Sequence, residues 1–181
     1  MNVDIARTLD DALGLIAERP GAEVINGGTD LMVEINFGRK RPDAIVAIDR
    51  IEELRRLSVD GYVTMGAGVT FTTMLERDCG SVALREAART VGCPQIRNAA
   101  TIGGNVATSS PAGDALPVLM ALDAYVELRS KDERRSVRFT DFMTGPKKNV
   151  RAPSELVTRV GWEHAGPAQR ERREASQVSA L

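Results

Sequence analysis

The apolar positions of this chain change period several times, and those changes set out its elements. Over residues 8–18, Leu9, Leu13 and Ile16 fall on one helical face. Thr8 caps that helix, Asp11 stands three residues on as a capping-box partner, and Pro20-Gly21 ends it. Residues 23–26 form a short strand. Thr29 or Asp30 then caps a helix through Phe37, stopped by Gly38. Residues 44–48 are a continuous apolar strand of the kind buried in α/β layers. Strand, helix and strand make a small β-α-β unit.

After a connector over 51–57, residues 58–67 predict a hairpin on a two-residue Asp60-Gly61 turn. The run GAGVTF over 66–71 has the look of a dinucleotide fingerprint but lacks its third glycine, so it reads as a strand end leading into a helix over 72–77. Residues 81–91 are a further helix, with Val82, Leu84, Ala87, Ala88 and Val91 as its apolar positions and Gly92 as its stop. Cys93-Pro94 opens a long loop. A helix follows from Ala115 to about Leu122, with Pro117 tolerated in its first turn. Strands over 125–130, 135–139 and 155–160, a charged turn over 131–134 and a short helix over 140–145 complete the reading. No internal repeat is present.

Two glycine pairs carry the candidate chemistry. VINGGTDL holds Gly27-Gly28-Thr29 just before a helix, which aims a helix N-terminus at an anion. TIGGN holds Gly103-Gly104-Asn105, flanked by Thr101, Thr108, Ser109 and Ser110 as neutral hydrogen-bonding groups. Adjacent glycines let the backbone reach positive φ and turn successive N–H groups toward phosphate as a small nest. Asp114 repels phosphate, so it suits a ribose or ribityl hydroxyl, or the cap of the helix beginning at Ala115. Asp30 reads as a helix cap whose backbone N–H still faces the ligand. Arg97 reads as a brace for its loop, because a nest supplies its own donors. The run Arg39-Lys40-Arg41 reads as a solvated loop.

NGGTDL, GAGVTF, IRNAATIGGNVATSSPAGDALPVL and FMTGP, in that order over roughly residues 5–160, resemble the flavin-binding subunit of molybdenum-containing hydroxylases, the family of xanthine dehydrogenase and carbon monoxide dehydrogenase. The resemblance implies an α+β fold of the PCMH type, with a small N-terminal β-α-β subdomain and a larger mixed or antiparallel sheet with helices. It places the subdomains at 1–55 and 56–161, and a polar tail, or the start of a truncated C-terminal domain, at 162–181. It implies FAD held along Ile25, Asn26, Gly27, Gly28, Thr29, Asp30 and Leu31 and along Thr101, Ile102, Gly103, Gly104, Asn105 and Thr108. Leu156 or Val157 would lie near the flavin. It also implies electrons arriving from a large molybdenum-cofactor subunit through a small 2Fe–2S subunit, with NAD, oxygen or a quinone as acceptor. Family members continue into a further domain, whose start RERREASQVSAL echoes. A fragment, a truncated product and a short homologue therefore all stay open, as does a scaffold form that no longer binds flavin productively.

Composition narrows the field. Lys and Arg total 24 against 25 Asp and Glu, and aromatic residues are 4% of the chain. Neither the basic face nor the stacking platform of a nucleic-acid binder is present. The two cysteines, Cys79 and Cys93, form no CxxC and read as buried free thiols, so no zinc site or self-held iron–sulfur cluster is expected. His164, the one histidine, sits in a polar stretch without a nucleophile elbow. No catalytic residue is assigned. With no signal-peptide pattern and no long apolar run, the chain reads as cytoplasmic and not membrane-bound.

Overall fold

The structure, a computed structural model, describes residues 2–164. Strand β1 (Asn2–Ile5) opens the chain. The Asp11 N–H donates to Thr8 Oγ1 and the Thr8 N–H to Asp11 Oδ2, both at 3.1 Å. This reciprocal box satisfies donors that a helix start leaves orphaned. It launches α1 (Leu9–Glu18), whose Leu9, Ala12, Leu13 and Ile16 are buried. β2 (Glu23–Ile25), α2 (Leu31–Asn36) and β3 (Ala44–Ala47) follow. The three strands pair in parallel in the order β1-β3-β2. β3 is central and carries the continuous apolar run, with Ile45, Val46 and Ala47 all buried.

A 3-10 turn over Glu52–Arg55 leads to the second half. It comprises β4 (Leu57–Asp60), β5 (Tyr62–Gly66), α3 (Phe71–Glu76), α4 (Val82–Thr90), α5 (Pro94–Ala99), α6 (Ile102–Thr108) and α7 (Leu116–Ala121). Next come β6 (Tyr125–Arg129), β7 (Arg134–Arg138), α8 (Phe139–Phe142), the small hairpin β8 (Met143–Gly145) and β9 (Lys148–Asn149), and β10 (Leu156–Glu163). Five strands form an antiparallel sheet in the order β4-β5-β10-β6-β7, so the last strand is central. Val63, Met65, Val126, Leu128, Val160 and Trp162 point to one face and are buried with Phe71, Met74, Leu84, Leu119, Phe139 and Phe142 from the helices. No helix among the described residues is long and apolar enough to cross a membrane.

Several local expectations are corrected. β1 escapes a pattern search because Val3 and Ile5 face outward and leave no core signature. The hairpin pairs Val59 with Val63 and Asp60 with Tyr62, so Gly61 alone forms the tip rather than an Asp-Gly pair. Residues after Cys93 are a helix, not a loop, because Pro94 sits in the first turn, where its missing N–H costs nothing. Cys93 is exposed; only Cys79 is a buried thiol. Val82 is exposed and lies outside the apolar face of α4. The helix expected over 140–145 is the single turn α8, and Met143 already belongs to β8. β10 runs on through Gly161, Trp162 and Glu163, since Trp162 fills the core opposite Val63. The rest of the stretch read as a polar tail lies outside the described residues.

The two halves meet at a backbone-to-backbone contact. A Cβ added to Gly27 would stand 1.7 Å from the Ala99 carbonyl oxygen at the end of α5. Only glycine permits that approach. The entry to β10 is clamped separately. Arg135 Nε donates to Glu155 Oε1 at 2.6 Å and Nη2 to Oε2 at 2.8 Å, while the Ala152 N–H donates to Oε2 at 2.7 Å. The Arg135 hydrogen bonds pull the Glu155 carboxyl below its ordinary pKa; burial opposes them and the Ala152 N–H adds to them.

Gly27→Ala is expected to lower stability by about 1–3 kcal/mol through forced backbone movement. Gly14→Ala, inside α1 with nothing within 4 Å of the added Cβ, is expected to raise it by about 0.5–1 kcal/mol. Denaturant melts of both variants check this, and a Gly27→Ala chain as stable as the parent would contradict the contact.

Because the folded-state pKa of Glu155 is depressed, its contribution is present at neutral pH. It fades as pH falls below the unfolded value, about 4.3, and through the folded one. Glu155→Gln is expected to cost about 2 kcal/mol at pH 7. Melts of parent and variant at pH 7 and pH 3 should show that gap shrinking in acid.

Candidate functional site

A cleft of about 670 Å³ lies where the β2–α2 turn of the small sheet faces α6, the β8–β9 turn and the start of β10. Of the residues singled out from the sequence, Ile25, Asn26, Gly27, Gly28, Thr29, Asp30 and Leu31 line it, as do Thr101, Gly103, Gly104, Asn105, Thr108 and Leu156. Two stretches separated by some seventy residues of chain thus share one wall-to-wall space, held together by the Gly27–Ala99 approach.

The two stretches present different chemistry. Along Gly27, Gly28, Thr29, Asp30 and Leu31, the backbone N–H groups donate to no acceptor among the described residues. Gly28 takes φ +71°, and α2 begins without a side-chain cap from Thr29 or Asp30. The result is a run of free donors at the start of a helix, beside the cleft. Such a run favours an anion.

The second glycine pair is corrected from a turn to the first turn of α6, with no positive φ. Its donors are spent inside the protein. The Ile102 N–H donates to Val69 O at 2.9 Å and the Gly103 N–H to Ala67 O at 2.9 Å. The Gly104 N–H donates to Thr101 Oγ1 at 3.1 Å, which makes Thr101 the helix cap. Gly103 is needed for packing, since a Cβ there would lie 2.4 Å from that of Ala67. What this stretch turns toward the cleft is the side chain of Asn105, whose Oδ1 is buried without a hydrogen-bond partner among the described residues.

Ile102 and Asp114 do not line the cleft. Ile102 is fully buried in the core. Asp114 Oδ1 accepts from Thr90 Oγ1 at 3.0 Å and does not cap α7, whose cap position is Ala115. Ser109 is also withdrawn: its φ is +49°, it is buried, and its hydroxyl donates to Val106 O at 2.8 Å. Arg97 braces as expected, its Nη1 donating to Val91 O at 2.9 Å and Gly92 O at 2.8 Å at the end of α4.

Residues not singled out from the sequence add the charges. Lys40 forms an ion pair with Glu23, and Lys147 Nζ stands 3.7 Å from Glu34 Oε1; all of them line the cleft. Lys40 stays in an exposed loop, as expected of that run, but from there it reaches the rim of the cleft. Arg151 also lines the cleft, with Nη1 donating to Glu155 O at 2.7 Å. Nothing in a linear pattern marks these positions, because each depends on where the β3 approach and the β8–β9 turn bring it. Among the described residues, no cluster of His, Cys, Asp or Glu could hold a metal ion.

Comparison with known proteins gives a consistent result. Residues 1–161 match the family described as the FAD binding domain in molybdopterin dehydrogenase. The nicotinate dehydrogenase FAD-subunit of Eubacterium barkeri is 38% identical over 163 residues, covering 85% of this chain and 55% of that protein. A putative xanthine dehydrogenase FAD-binding subunit of Escherichia coli strain K12 is 34% identical over 173 residues, covering 90% of this chain and 59% of that protein. This chain thus spans little more than half the length of those relatives. A chain in the structure of carbon monoxide dehydrogenase from Hydrogenophaga pseudoflava superposes with a TM-score of 0.87 at 23% identity, over 92% of this chain and 60% of that one, which establishes the shared fold. With a family match over residues 1–161, curated relatives above one third identity and the same fold, this chain belongs to the FAD binding domain family of molybdopterin dehydrogenases.

Proposed function

We propose that the cleft between the two sheets holds FAD, and that the chain serves as the flavin-binding part of an electron-transfer subunit in a molybdenum-containing hydroxylase. One observation carries the reading. The free N–H groups of Gly27 to Leu31 and the unpartnered Asn105 Oδ1 face the same space. Asn105 Oδ1 is buried, where an unpaired polar atom is costly and a bound partner removes that cost, while the half-exposed N–H run stands ready beside it as a set of donors.

The residues present fit a dinucleotide. The N–H run suits a diphosphate. Asn105 Oδ1 accepts from a hydroxyl or ring N–H. Leu156, Val157, Val91 and Ile96 supply apolar walls for a planar ring. Bound FAD supplies the redox chemistry. This chain's own residues bind it, orient it and keep water from its buried parts. No residue is assigned a proton to move, in keeping with a binding and positioning role.

Family membership extends the proposal to a large molybdenum-cofactor subunit and a small 2Fe–2S subunit as partners, with NAD, oxygen or a quinone as the final acceptor. A scaffold that has lost flavin binding would have no reason to keep five consecutive main-chain donors unpaired against a cleft.

Titrating the purified chain with FAD, alone and with the partner subunits, tests the reading. The expected outcome is a bound flavin spectrum and saturable binding. Asn105→Ala is expected to weaken FAD binding by about tenfold, the equivalent of one lost buried hydrogen bond. Absence of flavin binding under both conditions would rule the proposal out.

A further inference from the structure

Three cations line the cleft, and they are not equivalent. Lys40 is neutralised by Glu23 and Lys147 stands beside Glu34. Arg151 forms no ion pair with any carboxylate among the described residues. Its guanidinium is pinned instead by main chain: Nη1 donates to Glu155 O at 2.7 Å and to Ala152 O at 3.3 Å. Its backbone N–H donates to Asn149 Oδ1 at 3.1 Å. Asn149 Nδ2 in turn donates to Ala107 O at 2.9 Å, at the end of α6. The group is thus fixed within the wall formed by α6, the β8–β9 turn and the entry to β10. Its Nε is buried without a partner.

Bracing β10 explains Nη1 but not the charge. A neutral donor would serve the two carbonyls equally well, whereas a half-buried cation with no ion-pair partner carries a desolvation cost. That cost is visible in the titration of the group: burial pushes the Arg151 pKa below the ordinary arginine value, with the more distant Glu23 and Glu155 opposing it.

We infer that Arg151 is a ligand-binding residue, a pre-positioned counter-cation for the diphosphate of the dinucleotide. The inference rests on the flavin reading above and adds a selectivity to it. The cleft would discriminate by charge, holding FAD and ADP through Arg151 while an uncharged flavin gains nothing from it. Arginine suits this role because its charge is permanent and its donors are held in a plane.

The test is calorimetric titration of the full 181-residue chain with FAD, ADP and riboflavin, for the parent, Arg151→Gln and Arg151→Lys, each with a thermal melt. Arg151→Gln removes the charge and keeps a donor for the two carbonyls. It is expected to bind FAD and ADP about tenfold more weakly, or worse, with riboflavin unchanged. Arg151→Lys is expected to stay within about threefold of the parent for ADP. Unchanged ADP affinity in Arg151→Gln, or an equal loss for riboflavin, overturns the inference and leaves Arg151 as a brace. If Arg151→Gln does not fold, Arg151→Lys decides: a tenfold loss of ADP affinity in it counts against charge as the cause. A parent that binds riboflavin but not ADP also overturns the inference while sparing the flavin reading. A parent that binds neither FAD nor ADP, alone and with the partner subunits, overturns both.

Discussion

The contact between Gly27 and the Ala99 carbonyl sets the geometry of everything else in this molecule. It brings the end of β2 against the end of α5 with no side chain between them. The small parallel sheet and the large antiparallel sheet therefore meet along main chain, and the space beside that seam becomes the cleft. A methyl group at position 27 would part the two walls. The free N–H groups that follow Gly27 would then no longer face Asn105.

The two glycine pairs do unlike jobs on either side of the seam. The first leaves main-chain donors unspent, at the start of a six-residue helix with no buried residue. The second spends its donors on residues 67–69 and on the Thr101 hydroxyl, and so locks α6 to the sheet. One wall offers polar atoms to a ligand, and the other holds still. The side chain of Asn105 is the exception on the rigid wall, presented to the cleft by a helix that cannot shift without breaking the Thr70–Thr101 bridge. Behind this wall, the Arg135–Glu155 clasp fixes the entry to β10. Leu156 and Arg151 thereby keep their places at the cleft.

Much of this was legible from the chain alone, where local chemistry and burial agree. The Thr8–Asp11 box, the apolar run of β3 and the position of the β4–β5 hairpin follow from short-range rules. The two glycine stretches expected to share one ligand do border one cleft, from Ile25 to Leu31 on one side and around Gly103, Gly104 and Asn105 on the other. The misses have physical causes. Gly103-Gly104 reads as a turn because two glycines usually make one, yet here the missing Cβ serves packing against Ala67. Asp114 does not cap α7, whose cap position is Ala115, and its carboxylate instead accepts from Thr90 Oγ1. β10 outruns its expected end because Trp162 stands among polar neighbours in sequence and is buried in space. Lys40, Lys147 and Arg151 are ordinary surface residues in sequence, and only the approach of distant segments turns them toward the cleft.

The central claim is that the main-chain donors from Gly27 to Leu31 are kept free for an anionic ligand. Amide hydrogen exchange of the whole chain, with and without FAD, measures those donors directly. The account predicts fast exchange at these five positions in the free chain and marked slowing at them on adding FAD, with the α6 amides of Gly103 and Gly104 protected in both states. Bound FAD that leaves the amides of Gly27 to Leu31 exchanging as before would contradict it.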